Sequence, residues 1–71
     1  MNRISPKKLL NSKWTATNPV NGEKHFLVVK VEFDDRGAVE RCVVEAVLTK
    51  RTTAIDWKEL QDEGKWIQGW T

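Results

Sequence analysis

The amino-acid sequence predicts a small, mainly β domain built on an antiparallel sheet, and three observations lead to this prediction. Residues 25–33 alternate with a period of two, which is typical of a half-buried strand. Asp34-Asp35-Arg36-Gly37 then reads as a turn, because Gly37 is free to adopt a left-handed conformation. A valine-rich partner strand follows over 38–49. We expect a three- to four-stranded antiparallel meander over roughly 13–17, 24–34, 38–49 and 52–57. A closed SH3-like barrel is an alternative, because closure is not encoded in these patterns.

The segment before the central hairpin predicts one short helix and one strand. Ser5-Pro6 is a helix start, since serine can accept a hydrogen bond from a free N–H and proline suits the first helical position. Residues 13–17 alternate and carry β-branched and aromatic side chains, so they are expected to form a strand with Trp14 on the apolar side. Residues 18–22 contain Pro19 and Asn21-Gly22 and predict a turn.

The hydrophobic pattern also predicts how the two central strands pair. A four-residue loop at 34–37 places Phe33 opposite Ala38, Val29 opposite Cys42 and Leu27 opposite Val44. A slip of one residue would turn one strand's apolar set outward, so the pattern favours this register.

A further strand and a second short helix are expected after the central hairpin. If Lys50-Arg51 forms a tight turn, Ala46 pairs with Ile55, and Val44 pairs with Trp57. Asp56 and Glu59 have the spacing of a capping box, which predicts a short helix over about 57–63 that ends at Gly64. The predicted core from all these elements consists of Trp14, Leu27, Val29, Val31, Phe33, Cys42, Val44, Ala46, Ile55 and Trp57.

Length and composition limit the class of protein. Seventy-one residues make one small domain, 1–71, in which we distinguish a basic N-terminal segment (1–11), the β meander (13–57) and a tryptophan-rich C-terminal segment (57–71). Four tryptophans are expected to supply much of the interior that so short a chain lacks. The single cysteine excludes an internal disulfide and fits a reducing cytoplasm, and no signal peptide or membrane span is expected.

Charge and motif content weigh against catalysis and against a polyanionic partner. The net charge is +2, and the four bases of residues 1–13 are expected to lie on a solvated, partly frayed terminus. His25 and Cys42 are too few for a structural zinc site, and no nucleotide-binding or nucleophile motif is present. We therefore expect no enzyme activity, no cofactor and no metal.

Tryptophans beside basic residues make a binding role the leading hypothesis. The expected partner is another protein or a second copy of the chain, since tryptophan is enriched where proteins meet. Single-stranded nucleic acid, held by indole stacking and by Lys and Arg contacts to phosphate, is the alternative, and no membrane contact is expected. The candidate binding residues are Trp66, Trp70, Lys13, Lys50, Arg51 and Lys65.

The sequence also resembles a known family. Ser12-Lys13-Trp14-Thr15-Ala16, Glu23-Lys24-His25-Phe26, Ile55-Asp56-Trp57 and the final Gly69-Trp70 are similar to segments of a family of short, conserved bacterial tryptophan-rich proteins of unknown function. The resemblance covers the chain from about Ser5 to Trp70. It implies a bacterial, cytoplasmic protein, and it assigns no catalytic residue.

Overall fold

Five antiparallel strands form one open sheet in the computed structural model, which describes all residues 1–71. The strands are β1 (Lys13–Val20), β2 (Glu23–Phe33), β3 (Val39–Ala46), β4 (Thr52–Ile55) and β5 (Trp66–Gln68), in the spatial order β4-β3-β2-β1-β5. Two short 3-10 helices, Pro6–Lys8 and Trp57–Gln61, are the only helical segments. The predicted fold class is confirmed, and the sheet is open rather than closed into a barrel.

The C-terminal strand is an element that the sequence did not predict. β5 pairs antiparallel with the outer edge of β1, with Trp14 opposite Gln68 and Ala16 opposite Trp66. Three residues are too few to show a period of two, so no pattern marked this strand. The pairing brings the C-terminal segment next to the strand that carries Trp14.

The first hairpin turns at Asn21-Gly22. Both residues have positive φ, 57° and 75°, as a two-residue type I′ turn requires. The turn was predicted at the right dipeptide, but β1 continues through residues 18–20, so that Val20 pairs with Glu23. Pro19 is tolerated in the strand, where the pairing of β1 with β2 is irregular between Thr15 and Val20.

The predicted register of β2 against β3 is wrong by one residue over 26–28 and by two residues over 30–32. Val28, not Leu27, pairs with Val44, and Phe33 pairs with Val39. The ladder shifts between Val28 and Lys30, which leaves Val29 as an extra residue in a bulge. Because the bulge reverses the alternation, one uninterrupted period could not describe both halves of β2.

The predicted register of β3 against β4 is wrong as well. Ile55 pairs with Cys42 rather than Ala46, and Val44 pairs with Thr53 rather than Trp57. The loop is longer than the predicted Lys50-Arg51 turn, because β3 already ends at Ala46 and the Lys50 amide donates back to the Ala46 carbonyl at 2.8 Å.

Trp57 therefore starts the second 3-10 helix instead of belonging to a strand. Asp56 caps this helix, since its Oδ1 accepts a hydrogen bond from the Lys58 amide at 3.0 Å. The helix ends at Gln61, two residues before the predicted limit of about 63, and Leu60 on it is completely buried. Neither 3-10 helix has the length or the apolar character to cross a membrane.

The core lies on one side of the sheet, called the inner face here. Its central cluster consists of Leu9, Trp14, Val28, Cys42, Val44 and Leu60. Leu9 and Leu60 come from segments next to and within the 3-10 helices, so these segments cover the inner face. The Asn2 side chain donates hydrogen bonds to the carbonyls of Leu60 and Trp66 at 2.9 and 2.7 Å. The N-terminus is therefore anchored rather than frayed.

The predicted core residues fall into three groups. Buried residues are Trp14, Cys42, Val44 and Ala46. Half-buried residues packed against the cluster are Val31, Ile55 and Trp57. The prediction is wrong for the other three residues, because Leu27 is half-buried on the opposite face while Val29 and Phe33 are exposed. The bulge at Val29 accounts for Leu27 and Val29. Phe33 is exposed for a different reason, because it is the last residue of β2 and lies beyond the core cluster.

Candidate binding surface

The two broad sides of the sheet differ in what covers them. The molecule measures 37 × 25 × 15 Å, so it is a slab one sheet and one partial layer thick. We call the side opposite the core the outer face, and only residues 69–71 fold over part of it. Strand alternation and register assign to the outer face Lys13, Thr15, His25, Leu27, Val43, Glu45 and Ile67.

Trp70 is fixed on the outer face by three contacts. Its indole Nε1 donates a hydrogen bond to the Phe26 carbonyl at 3.0 Å. The Lys13 ammonium lies 4.9 Å from the centre of its ring, and the His25 ring lies 5.9 Å away at a tilt of 42°. Trp70 is nonetheless 43% exposed. The result is a large aromatic side chain that is held in place and still open to solvent.

The backbone that carries Trp70 is clamped to β1. The Gly69 amide donates to the Lys13 carbonyl at 2.8 Å, and the Thr15 hydroxyl donates to the Gly69 carbonyl at 2.6 Å. The same hydroxyl accepts a hydrogen bond from the Thr71 amide at 3.2 Å. Gly69 adopts a φ of 82°, a conformation that side chains disfavour, and this bends the chain over the sheet. Thr15 is buried beneath this bend.

Trp66 lies on the inner face, so the candidate binding residues Trp66 and Trp70 do not share one surface. Trp66 packs edge-on against Phe26 with ring centres 5.1 Å apart, and it is half-buried against the core cluster. Trp66 belongs to β5 and Trp70 follows this strand, and their indoles lie on opposite sides of the sheet.

The predicted basic residues are also separated from one another. Lys65 forms an ion pair with Glu59 at 3.6 Å, and Arg51 pairs with Glu23 at 2.7 Å. Lys50 lies in the loop after β3 with a φ of 65°. Of the basic candidates, only Lys13 comes together with a candidate tryptophan, Trp70.

Glu23 is a structured polar residue that sequence analysis missed. The residue is 5% exposed, and its carboxylate accepts hydrogen bonds from the Thr49 hydroxyl and from two nitrogens of Arg51. The Thr49 hydrogen bond, followed by the Arg51 hydrogen bonds and charge, lowers the pKa of Glu23 below the ordinary carboxyl value of 4.5. Thr49 and Arg51 follow Glu23 by 26 and 28 positions in the sequence, and no sequence pattern signals a cluster of residues so far apart.

The only thiol and the only imidazole lie on opposite faces. Cys42 is buried in the core cluster, where desolvation raises the pKa of its thiol. His25 lies on the outer face, and its Nε2 is 2.8 Å from the Thr71 carbonyl oxygen. Since the sheet separates them, they form no nucleophile and base pair. The structure brings together no three His, Cys, Asp or Glu side chains suited to a metal ion.

A cleft lies between β3 and the second 3-10 helix. It has a volume of about 360 Å³ and lies beside Cys42, Ile55 and Trp57. Its charged lining comes from Glu40, Arg41, Asp56 and Lys58. The Cys42 thiol in this lining is buried, and Ile55 and Trp57 are half-buried against the core cluster. The more exposed indole of Trp70 lies on the outer face instead.

The fold and the outer face define the class of the protein: a small β protein with a single open sheet and a partly exposed tryptophan on one face. Comparison with known families places the chain more closely: it belongs to the family of tryptophan-rich proteins DUF2389, whose model matches residues 12–71. The predicted membership in a tryptophan-rich family of unknown function is therefore confirmed. No curated protein and no solved structure shows significant similarity to this chain.

Proposed function

We propose that this protein is a non-enzymatic binding module that contacts a protein partner through the outer face, with Trp70 as the central anchor. The observation that carries the proposal is the state of Trp70, which is fixed by Phe26, Lys13 and His25 while 43% of it stays exposed. A fixed aromatic side chain loses little conformational entropy on binding, which is one reason tryptophan is common in interface hot spots.

The surroundings of Trp70 support a protein partner. Ile67 on the neighbouring strand is 42% exposed, and Leu27 is half-buried on the same face. Lys13 adds a charged rim to this apolar centre. An apolar centre with a polar rim is the usual composition of a protein interface.

Single-stranded nucleic acid is the second candidate ligand, because the Lys13 ammonium sits 4.9 Å from an exposed indole that a base could stack on. The charges favour it less. Arg51 is neutralised by Glu23, and Glu45 adds a carboxylate to the same face. Lys65 is paired with Glu59 as well, so two of the four basic candidate residues already hold a carboxylate instead of being free to contact phosphate.

A capture experiment with matched variants tests the proposed function. Immobilised wild-type protein, Trp70→Ala and Phe33→Ala are incubated with a lysate of the source cells, and retained proteins are quantified by mass spectrometry. Phe33 is 47% exposed and lies outside the Trp70 region, so it is the matched control. We expect a protein retained by wild type and Phe33→Ala, with at least a roughly tenfold loss for Trp70→Ala. Equal retention by all three would refute the role of Trp70.

A titration with a single-stranded oligonucleotide tests whether the ligand is nucleic acid rather than protein. Stacking on Trp70 would quench its fluorescence, and the apparent affinity would fall steeply with salt. We expect no quenching at low salt. A salt-sensitive response that is absent from Trp70→Phe with Lys13→Gln would favour nucleic acid instead.

The proposal includes a bacterial, cytoplasmic setting. It is supported by the resemblance stated above and by the single free cysteine, which fits a reducing compartment. Fractionation of source cells with an antibody against the protein tests this part, with the soluble cytoplasmic fraction as the expected location.

A further inference from the structure

One row of residues crosses the outer face with opposite charges at equal distances from its centre. Lys13 on β1 pairs with Leu27 on β2, and Leu27 pairs with Glu45 on β3. The three side chains therefore point to the same face in a line across the strands. The strands are about 4.8 Å apart, so Lys13 and Glu45 flank Leu27 symmetrically.

Neither charge in this row has an ionic partner within the chain. The ion pairs of the structure join the N-terminus to Glu63, Arg41 to Glu32, Arg51 to Glu23 and Lys65 to Glu59. The Lys13 ammonium lies over the Trp70 ring, and the half-buried Glu45 takes part in none of these ion pairs. A half-buried carboxylate loses hydration, so a cation delivered from outside would stabilise it.

We propose that the outer face is the interface of a symmetric homodimer, with its two-fold axis along β2 at Leu27. This proposal rests on the proposed binding role of the outer face and names its partner as a second copy. Rotation about an axis parallel to β2 exchanges the β1 side with the β3 side. Lys13 then faces Glu45 of the partner subunit, and by symmetry Glu45 faces Lys13 of the partner subunit.

The same rotation matches the apolar side chains. Trp70 lies above the β1 side next to His25, so the rotation sets it against the β3 side of the other copy, where the half-buried Val47 lies. Val47 continues the β3 register opposite His25, since its amide donates to the His25 carbonyl at 2.9 Å. A projecting indole on one half of the face thus meets an aliphatic side chain on the other half.

The outer face is large enough for such a contact. A standard interface buries about 800 Å² per partner, roughly one sixth of the 4911 Å² surface of this chain. The outer face is one of the two broad sides of a slab measuring 37 × 25 Å across. Face-to-face packing of two sheets would also cover the side of this sheet that its own chain leaves open.

Charge reversal tests the predicted pairing. Sedimentation equilibrium of the full chain measures the dimer dissociation constant of wild type, Lys13→Glu, Glu45→Lys and the double variant. Each single reversal places two like-charge contacts in the interface, so we expect the constant to rise at least about tenfold. The double variant restores opposite charges across the two-fold axis, and we expect its constant to return to within about threefold of wild type.

Lys58→Glu is the matched control, because it makes the same charge change on the second 3-10 helix at the inner side. We expect it to leave the dissociation constant unchanged, and circular dichroism checks that every variant is folded. A wild-type monomer at several hundred micromolar, or a double variant as weak as the single ones, would overturn the dimer.

Failure of the dimer and failure of the proposed function give different results. If wild type is monomeric while the lysate capture still depends on Trp70, the outer face binds a different protein and only the homodimer is wrong. If the capture shows no dependence on Trp70 and no dimer forms, both proposals fall. A dimer that survives both Trp70→Ala and the single reversals would place the interface elsewhere.

Discussion

Arg51 holds the carboxylate of Glu23 with two hydrogen bonds, Nη2 to Oε1 at 2.7 Å and Nε to Oε2 at 3.1 Å. The Thr49 hydroxyl donates to the same Oε2. Glu23 begins β2, and Thr49 and Arg51 belong to the loop between β3 and β4. The cluster therefore fixes a long loop to the start of the central hairpin, which compensates for the absence of a tight turn there.

Replacing Glu23 should change how stability depends on pH. A carboxyl group whose folded pKa is lowered stabilises the folded state above its unfolded pKa of about 4.5, and this stability is lost as pH falls through the folded pKa. We expect Glu23→Gln to be less stable than wild type at pH 7, with a difference that shrinks progressively below pH 4.5. Urea unfolding at a series of pH values measures it.

Glu40→Gln is the control for this prediction. Glu40 is exposed and forms none of the ion pairs, so its replacement should leave stability at pH 7 within about 0.5 kcal/mol of wild type. A Glu23→Gln deficit that is as large at pH 3 as at pH 7 would contradict the assigned role of the Glu23 carboxylate.

The four tryptophans should differ in their contribution to stability. Trp14 is 1% exposed, and its Nε1 donates to the Ser12 hydroxyl at 2.8 Å, so Trp14→Ala should cost about 3 to 5 kcal/mol. Trp70→Ala should cost less, about 1 to 2 kcal/mol, because a large part of its indole remains in water. Half-buried Trp57 and Trp66 should fall between them. Equal losses at Trp14 and Trp70, measured by urea unfolding, would contradict the different environments of the two faces.

The Cys42 thiol should be unreactive in the folded protein. It is buried in the core, and desolvation raises its pKa, so both access and thiolate formation are suppressed. We expect a disulfide reagent such as DTNB to label it only at the rate of unfolding and immediately in urea. Leu48→Cys combined with Cys42→Ala supplies an exposed thiol as the control, since Leu48 is 73% exposed. Rapid labelling of native wild type would show that Cys42 is open to solvent.

Lys50 should gain stability from replacement by glycine. Its φ of 65° is unfavourable for a side chain by about 1 kcal/mol, and glycine adopts it freely. We expect Lys50→Gly to raise the free energy of unfolding by up to about 1 kcal/mol. Lys58→Gly, at a position of ordinary φ in a 3-10 helix, should lower it by about as much. The same sign for both variants would contradict the loop conformation.

Local patterns revealed where most strands lie, but not how they pair. The period of two identified the central strand, and the Asn21-Gly22 dipeptide identified a turn. Asp56 was predicted to cap a helix, and in the structure its Oδ1 accepts a hydrogen bond from the Lys58 amide at 3.0 Å. The bulge at Val29 reversed the faces of β2, and an extra residue leaves no trace in composition. The exposure of Val29 is the direct consequence, whereas Phe33 is exposed at the end of the strand.

The sequence predicted individual residues of the candidate binding surface but not how they come together. Lys13 and Trp70 were both identified from the sequence, but their contact depends on β5 pairing with β1 across more than half the chain. Such long-range pairing is decided by tertiary packing rather than by local preference. For the same reason Trp66 was grouped with Trp70, although four residues of chain carry the two indoles to opposite faces.

Solvent access of the four indoles tests the central claim most directly. The ¹⁵N-bound indole protons give four separate NMR signals, and a soluble paramagnetic agent broadens each one according to its exposure. In dilute solution we expect the Trp70 signal to broaden most and the Trp14 signal to be unaffected, with Trp57 and Trp66 between them. Broadening of Trp14 equal to that of Trp70 would contradict a sheet with one buried face and one face open for recognition.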